Sequence, residues 1–281
     1  MAEIANSTVT KLSYNAHEGA NLVQQVAKVI LVVFPRGLTI AGFSPQGDLL
    51  IVHYTEHNES LPRWILDFYE HRFIEDKLLS VPEKIAGIFV ASDKYLLVPD
   101  EVYNAEQASD WMRKIFFIES NEVIEDYRLY EDKSHYLFAY PSAIKNLSGR
   151  YFHHAAVLPL AAYQFYKPYK MESALQFCVG IDYIYATLYK NKQLAWHQVF
   201  PYQCAEDIAY QINLMCKQYR IESQNMEIQA SVIHKDLNNM LSDLTQYFPK
   251  LKYGNNTESF PSVREWIQTA GLLQQLYSCV S

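Results

Sequence analysis

Residues Val179–Phe200, VGIDYIYATLYKNKQLAWHQVF, have the pattern of strands joined by tight turns. The segment Lys190–Gln193 is the clearest turn, because Asn191 tolerates the left-handed backbone conformation that a two-residue hairpin loop requires. Apolar and aromatic residues alternate around it, and the preceding LQFCV predicts one more strand. We therefore expect a run of neighbouring strands that opens the second half of the chain.

A similar hairpin opens the first half, where residues 38–56 read LTIAGFSPQGDLLIVHYTE. Ser44–Gly47 fits a type I turn, with Ser first, Pro at the position that needs φ of about −65°, and Gly last. Further strands are predicted at 29–34, 84–92, 94–99, 122–130, 135–141, 226–233 and 251–253. Apolar residues at helical spacing predict helices over Leu61–Phe68, Ala108–Ile115, Ile208–Tyr219 and Leu237–Leu244, with Pro62 in a first turn and Ser262-x-x-Glu265 as a capping box.

Both halves thus begin with hairpin strands and continue with alternating helices and strands. That order predicts an α/β protein with mixed sheets, antiparallel at their start, parallel after the crossovers and covered by helices. We expect a loosely ordered leader at residues 1–21, a first lobe at 22–167 and a second lobe at 168–281, with the boundary near 168–172.

The composition disfavours several classes of protein. The formal net charge is −7, whereas nucleic acids and anionic membranes require a basic surface. The four cysteines have no C-x-x-C spacing, so we expect thiols in a reducing compartment. The N-terminal residues have no secretory pattern, and the apolar run Val29–Phe34 is too short to span a bilayer. These features predict a cytoplasmic protein without membrane insertion.

The order of elements resembles the actin-like ATPase fold, the duplicated ribonuclease-H-like plan of actin, the sugar kinases and the heat-shock ATPases. In detail the chain is similar to an uncharacterised bacterial family, a domain of unknown function with this fold. More distantly it resembles the actin-like scaffold proteins of pilus and secretion machines. The resemblance covers most of residues 36–255 and rests on the segments LTIAGFSPQGDLLIVHY, KYLLVPDEVYN, YATLYKNKQLAWHQVFPY and AEDIAYQINLMCKQY.

The resemblance implies two hairpin turns that hold phosphates, each with an aspartate at a strand end and glycines in the turn. The turn at Ser44–Gly47 has no preceding aspartate, and Pro45 removes an N–H donor. In the second half, Asp182 and Thr187 have a suggestive separation, but the residues between them, YIYA, contain no glycine.

A third segment of the family pattern, a strand ending in paired glycines, packs against the adenine. The corresponding residues here are Ala230 and Ser231 in EIQASVIHK. The chain has only 9 glycines, so there are few places where backbone can approach a ligand closely.

Our main hypothesis is therefore a non-catalytic, actin-like protein, a pseudo-ATPase with a scaffolding role and an unidentified protein partner. It has no expected catalytic, cofactor-binding or metal-binding residues. The alternative is a divergent ATPase that uses ATP with Mg²⁺ between the lobes, in which Asp182 orients the cation and Thr187 binds phosphate. The oligomeric state stays open, with self-association through sheet edges or aromatic contacts as a further idea.

Two other features have competing interpretations. Tyr183, Tyr185 and Tyr189 share one strand face and predict either packing or an aromatic partner surface, and we favour packing. The acidic stretch Glu119–Asp132 predicts a solvated face rather than paired carboxylates for acid–base chemistry. His53 and His57 are four residues apart but fall in a strand and a loop, so we expect no metal site there.

Overall fold

The computed structural model describes residues 9–16, 21–58, 62–166, 173–222, 226–253 and 266–281. The chain divides into two compact units: the first ends at Ala162 and also takes in Leu276–Ser281, and the second is Tyr163–Gln275. The boundary predicted near 168–172 lies outside the described residues, and the lobes at 22–167 and 168–281 stay a prediction.

The first unit is built around a six-stranded sheet with the strand order β1-β4-β3-β2-β5-β9. Its elements in chain order are β1 (Val9–Asn15), α1 (Leu22–Gln25), β2 (Lys28–Phe34), β3 (Gly37–Phe43), β4 (Leu49–His57), α2 (Leu66–Glu75), β5 (Ile85–Val90), β6 (Lys94–Pro99), α3 (Ala108–Ile115), β7 (Glu122–Leu129), β8 (Ser134–Pro141), α4 (Ser142–Tyr151) and β9 (Ala156–Pro159).

The second unit is built around a five-stranded sheet with the order β12-β11-β10-β13-β14. Its elements are α5 (Ala162–Phe165, from its second residue), β10 (Ser173–Val179), β11 (Tyr183–Lys190), β12 (Gln193–Pro201), α6 (Ala205–Gln218), β13 (Glu227–Val232), α7 (Asn238–Leu244), β14 (Leu251–Tyr253) and most of α8 (Ile267–Tyr277), whose last two residues belong to the first unit. The two-residue turn predicted between β11 and β12 is present, with positive φ at Asn191 and Lys192.

The two sheets share one topology, because β4-β3-β2-β5-β9 matches β12-β11-β10-β13-β14 strand for strand. In the first unit, β2 pairs antiparallel with β3 and parallel with β5. In the second unit, β10 pairs antiparallel with β11 and parallel with β13 in the same way. The predicted mixed sheet is confirmed. β2 and β10 are almost wholly buried, which agrees with their unbroken apolar sequences.

Between β5 and α4 the first unit carries a segment without a counterpart between β13 and α7. This insert, residues 93–141, forms a three-stranded sheet of order β6-β8-β7 covered by α3. Its small core contains Val98, Met112 and Leu137. The strands predicted at 94–99, 122–130 and 135–141 and the helix at Ala108–Ile115 are confirmed within one or two residues at their ends.

Several sequence-based expectations need correction. Residues 9–15 are not loosely ordered, because β1 pairs with β4 over seven residues. β1 lies at the edge of the sheet and is mostly polar, so its sequence lacks the apolar pattern that predicts a strand. The helix expected from Leu61 begins at Leu66, since Ile65 is still extended and Pro62 precedes the helix. Leu61 itself and the capping box at 262–265 fall outside the described residues.

Packing, the interpretation favoured for the tyrosine row, is confirmed for two of its three members. Tyr185 and Tyr189 are buried in the second unit, and Tyr183 at the start of β11 is partly exposed. A buried ring cannot form an accessible recognition surface, so the row contributes mainly to packing.

The C-terminal residues pack on the first sheet. The ring of Tyr277 stacks on Phe43 with 4.2 Å between centroids, and it also lies against Gly47. Val280 lies so close to Gly87 that a Cβ at Gly87 would be 2.8 Å from its Cγ1. The segment 276–281 is therefore part of the first unit's packing.

We expect Tyr277→Ala to lower the free energy of unfolding by about 2 kcal/mol, because it removes the stacked ring and leaves a void over Phe43. Urea denaturation would measure the change. Tyr277→Phe keeps the ring and should leave the stability nearly unchanged. Equal losses for both variants would contradict a role for the stacked ring.

Candidate functional site

The turn between β10 and β11, Gly180–Asp182, is the first place to look for a phosphate-binding loop. Both backbone groups of Gly180 are bonded: its N–H donates to the Tyr183 carbonyl at 2.9 Å, and its carbonyl accepts from the Tyr202 hydroxyl at 2.6 Å. A Cβ at Gly180 would lie 2.8 Å from the Tyr183 carbonyl oxygen, which explains the glycine here. This glycine therefore serves the tight turn, and its N–H is already bonded.

Asp182 is the acidic residue of this turn and is partly exposed. Tyr202 has a pKa above its usual value, raised by burial first and by the Asp182 charge second. Tyr202 therefore keeps its proton and continues to donate to the Gly180 carbonyl.

Thr187 lies five residues further on, fully buried in the middle of β11. Its hydroxyl donates to Gln164 Oε1 at 2.9 Å and contacts His197 Nδ1 at 2.8 Å. A hydroxyl has one proton, so His197 Nδ1 must be the donor in the second bond. Gln164 Nε2 in turn donates to the Tyr185 carbonyl at 2.8 Å, which ties α5 to the sheet. Thr187 thus belongs to a buried network rather than to a loop that faces solvent.

The strand order shows which turn of the first unit is equivalent to Gly180–Asp182. It is not Ser44–Gly47, the turn at the position expected from the sequence for the first phosphate loop. That turn joins β3 to β4 and is equivalent to the Asn191–Lys192 turn. The true counterpart joins β2 to β3 and consists of Pro35 and Arg36.

The two residues of this counterpart turn offer no free backbone N–H. Pro35 has no N–H, and the Arg36 N–H donates to the Arg63 carbonyl at 2.7 Å. Arg36 has a φ of 74°, and the turn fits type II, with Pro at its first central position. A Cβ at Gly37 would be 2.5 Å from the Thr55 carbonyl oxygen, so this glycine too is required by packing.

The segment that corresponds to the adenine site is part of a buried strand. Ser231 in β13 hydrogen-bonds to the Tyr163 hydroxyl at 3.0 Å. Burial raises the pKa of the neighbouring Cys178 to about 12, which leaves an unreactive thiol. Within the described ranges, no group of three or more His, Cys, Asp or Glu side chains could hold a metal ion, and no described helix is long and apolar enough to cross a membrane.

A different feature of the first unit has the size of a binding site. At one end of the insert sheet lies a surface groove of about 510 Å³, which we call the insert groove. Four segments line it, 62–66, 93–94, 119–122 and 141–144. Pro62, Trp64, Leu66, Pro141 and Ile144 supply apolar walls.

The charges of the insert groove are largely paired with one another. Lys94 Nζ donates to both carboxylate oxygens of Glu122, at 2.8 and 2.6 Å, and to the Phe117 carbonyl at 2.9 Å. Arg63 faces Asp93 at 3.8 Å. Ion pairs thus occupy the polar side of the groove.

Sequence reasoning did not find the insert groove, because it is assembled from four separated segments. The sequence does place two apolar residues, Ile115 and Phe117, at the end of the predicted helix Ala108–Ile115 and just after it. Ile115 is 59% exposed and Phe117 is 82% exposed, and the Phe117 carbonyl accepts a hydrogen bond from Lys94, which lines the groove.

Thr187→Val tests whether the buried network is structural. The substitution leaves Gln164 Oε1 and the His197 N–H without their partner, so we expect a loss of about 2 kcal/mol in the free energy of unfolding. Thr187→Ser keeps the hydroxyl and should cost about 1 kcal/mol through the missing methyl. A stable Thr187→Val protein would contradict this assignment, and denaturant unfolding of both variants decides it.

The network also predicts acid sensitivity. Burial lowers the pKa of His197 to about 3, whereas in the unfolded chain it titrates at about 6.5. Only the unfolded state binds the proton between these values, so stability is complete above pH 6.5 and falls as the pH drops toward 3. His197 contributes a slope of about 1.4 kcal/mol per pH unit below pH 6, and His197→Asn should remove it from urea unfolding curves. Identical slopes for the two proteins would show that His197 does not titrate in this way.

The comparisons with known proteins agree with this architecture. The family described as a protein of unknown function, DUF3822, matches residues 22–251. No curated protein sequence matches the chain.

Two solved structures share most of the fold. A protein of Bacteroides thetaiotaomicron VPI-5482, described as having an actin-like ATPase fold and unknown function, aligns with a TM-score of 0.71 at 16% identity and covers 93% of this chain and 100% of its own. The PilM–PilN type IV pilus biogenesis complex aligns with a TM-score of 0.56 at 11% identity, over 92% of this chain and 99% of the other. At these identities the likeness concerns the fold, which is the actin-like ATPase fold with mixed α/β sheets. Since the family match extends over most of the residues, the chain belongs to the DUF3822 family of proteins of unknown function.

Proposed function

We propose that this protein is a non-catalytic member of the actin-like fold, a pseudo-ATPase of the bacterial cytoplasm, that works as a scaffold by binding a protein partner in the insert groove. The observation that carries the proposal is the groove itself. It is preformed in the first unit, has apolar walls on several segments, and is large enough for a few side chains of a peptide.

The state of the hairpin turns supports the non-catalytic part of the proposal. A phosphate loop needs several free backbone N–H groups, because these replace the water around the phosphate oxygens. Pro35 has none, and those of Arg36 and Gly180 donate to backbone carbonyls. The alternative, a divergent ATP site, would require Thr187 to leave a buried network in order to reach phosphate.

The shared fold supports the scaffolding part. PilM, which has the same fold, is described in a complex with PilN. By analogy, a chain of this fold can present a peptide-binding surface, and the insert groove is the surface of this kind that we propose here.

Thermal unfolding with and without millimolar Mg-ATP tests the first part. A ligand that binds only the folded state raises the midpoint, by about 2.7 kcal/mol of stability at a hundredfold excess over its Kd. We expect no shift with Mg-ATP, Mg-ADP or Mg-GTP. A shift of several degrees that Asp182→Ala abolishes would overturn the non-catalytic assignment and support the divergent nucleotide site.

Leu66→Ser tests the second part, with capture of proteins from a bacterial lysate by the immobilised chain. Leu66 lines the groove, is 40% exposed and is the first residue of α2, where its N–H has no partner within the helix, so the fold should be kept. We expect the variant to lose a protein that the wild-type chain retains. Tyr210→Ser is the matched control, because Tyr210 is 65% exposed on α6 of the second unit. Equal capture by all three proteins would contradict binding in the groove.

A further inference from the structure

The negative charge of the protein is concentrated in the insert. Residues 93–141 contain 11 acidic and 5 basic residues, a net charge of −6 in a chain of net charge −7. The remaining residues are therefore almost neutral in sum. Since the insert sheet forms one side of the insert groove, a molecule that approaches the groove meets a negative field.

Inside the groove, the positive charges are already engaged. Lys94 is held by both oxygens of Glu122, and Arg63 faces Asp93. The backbone N–H of Glu119 donates to Glu122 Oε2 at 2.8 Å, which fixes this corner of the groove. The Glu119 carboxylate has no ion pair with any residue that the structure describes, and its side chain is exposed. An incoming cation would find its counter-charge there.

The apolar part of the surface extends beyond the groove walls. Phe117 is 82% exposed, although its backbone is held in place by the bond from Lys94 Nζ to its carbonyl. The Phe117 carbonyl is bonded to a residue that lines the groove, so its exposed ring and the apolar groove walls together could form one interaction surface. Trp64 and Leu66 line the groove, so a bulky side chain inserted there is in reach of apolar contacts.

From these observations, and resting on the proposed function above, we infer that the partner of the insert groove is a basic peptide segment of a protein, with a lysine or arginine that pairs with Glu119 and a bulky apolar side chain that packs between Phe117 and the groove walls. The apolar contact supplies most of the affinity, and the charge supplies orientation and partner choice. The same negative field disfavours acidic peptides, because burying like charges together is costly.

A library of random twelve-residue peptides displayed on phage, selected on the immobilised full chain, provides the probe. The enriched sequences should combine lysine or arginine with a large apolar residue. The best sequence is then made as a fluorescein-labelled synthetic peptide, together with a version in which every Lys and Arg is replaced by Glu. Fluorescence anisotropy at 50 and 500 mM NaCl gives the Kd values. We expect the charge-reversed peptide to bind at least about tenfold more weakly at low salt, with most of the difference lost at high salt.

Three variants locate the binding. Phe117→Ser should raise the Kd of the basic peptide about tenfold, and Glu119→Gln about fivefold at 50 mM NaCl with little effect at 500 mM. Glu131→Gln removes an equally exposed carboxylate of the insert outside the groove and should leave the Kd unchanged. Thermal unfolding midpoints equal to that of the wild-type chain confirm that the variants are folded.

The outcomes separate the two claims. Enriched peptides that are neutral or acidic, yet lose binding on Phe117→Ser or Leu66→Ser, would overturn the basic partner and leave peptide binding in the groove intact. Peptides that bind all variants equally, or a selection without enrichment, would overturn both. A Glu131→Gln effect as large as that of Glu119→Gln would show general attraction to the acidic insert and would overturn the pairing with Glu119.

Discussion

β2 and β10 are each hydrogen-bonded to a neighbouring strand along both of their edges, and the rest of the structure depends on this constraint. Each strand forms antiparallel hydrogen bonds with the next strand in sequence and parallel bonds with a later one. A parallel neighbour requires a crossover, and nearly complete burial of both strands requires cover on both faces of the sheet. The helices between strands follow from this requirement, and so does the position of one short hairpin turn at the end of each of the two strands.

In those two turns, protein carbonyls accept hydrogen bonds from backbone donors that a phosphate-binding loop would need to leave free. Gly180 and Gly37 remain where backbone approaches too closely for a Cβ. The N–H groups of Gly180 and Arg36, however, donate to protein carbonyls. These bonds satisfy the two N–H groups without a ligand. Within the second unit, the buried Thr187 hydroxyl likewise hydrogen-bonds to two protein groups, Gln164 Oε1 and His197 Nδ1.

Much of the fold could be predicted from the sequence, because strand alternation and turn chemistry are local properties. Examples are the β11–β12 hairpin with its turn at Asn191, and the apolar strands at 85–90 and 94–99. β1 was missed because an edge strand such as VTKLSYN needs no apolar face, and the start of α2 was misplaced because Trp64 and Ile65 have helical spacing but precede the helix. The equivalence of the Pro35–Arg36 and Gly180–Asp182 turns depends on the order of strands in the sheets. The insert groove depends on the folding together of four segments that are separate in the sequence. Neither property is encoded in any short stretch of residues, so local patterns could not predict them.

The return of residues 276–281 to the first unit affects the order in which the protein can fold as it is synthesised. Domains generally fold as units while the chain emerges from the ribosome, the N-terminal one first. Here the rings of Phe43 and Tyr277, and the contact of Gly87 with Val280, join residues that precede the second unit in the chain to residues that follow it. The first unit can therefore collapse early around β2, β3 and β4, but the surface over Phe43 and Gly87 stays uncovered until the second unit has been made. A cell that produces this protein must keep that apolar surface from self-associating for the time needed to translate more than a hundred further residues.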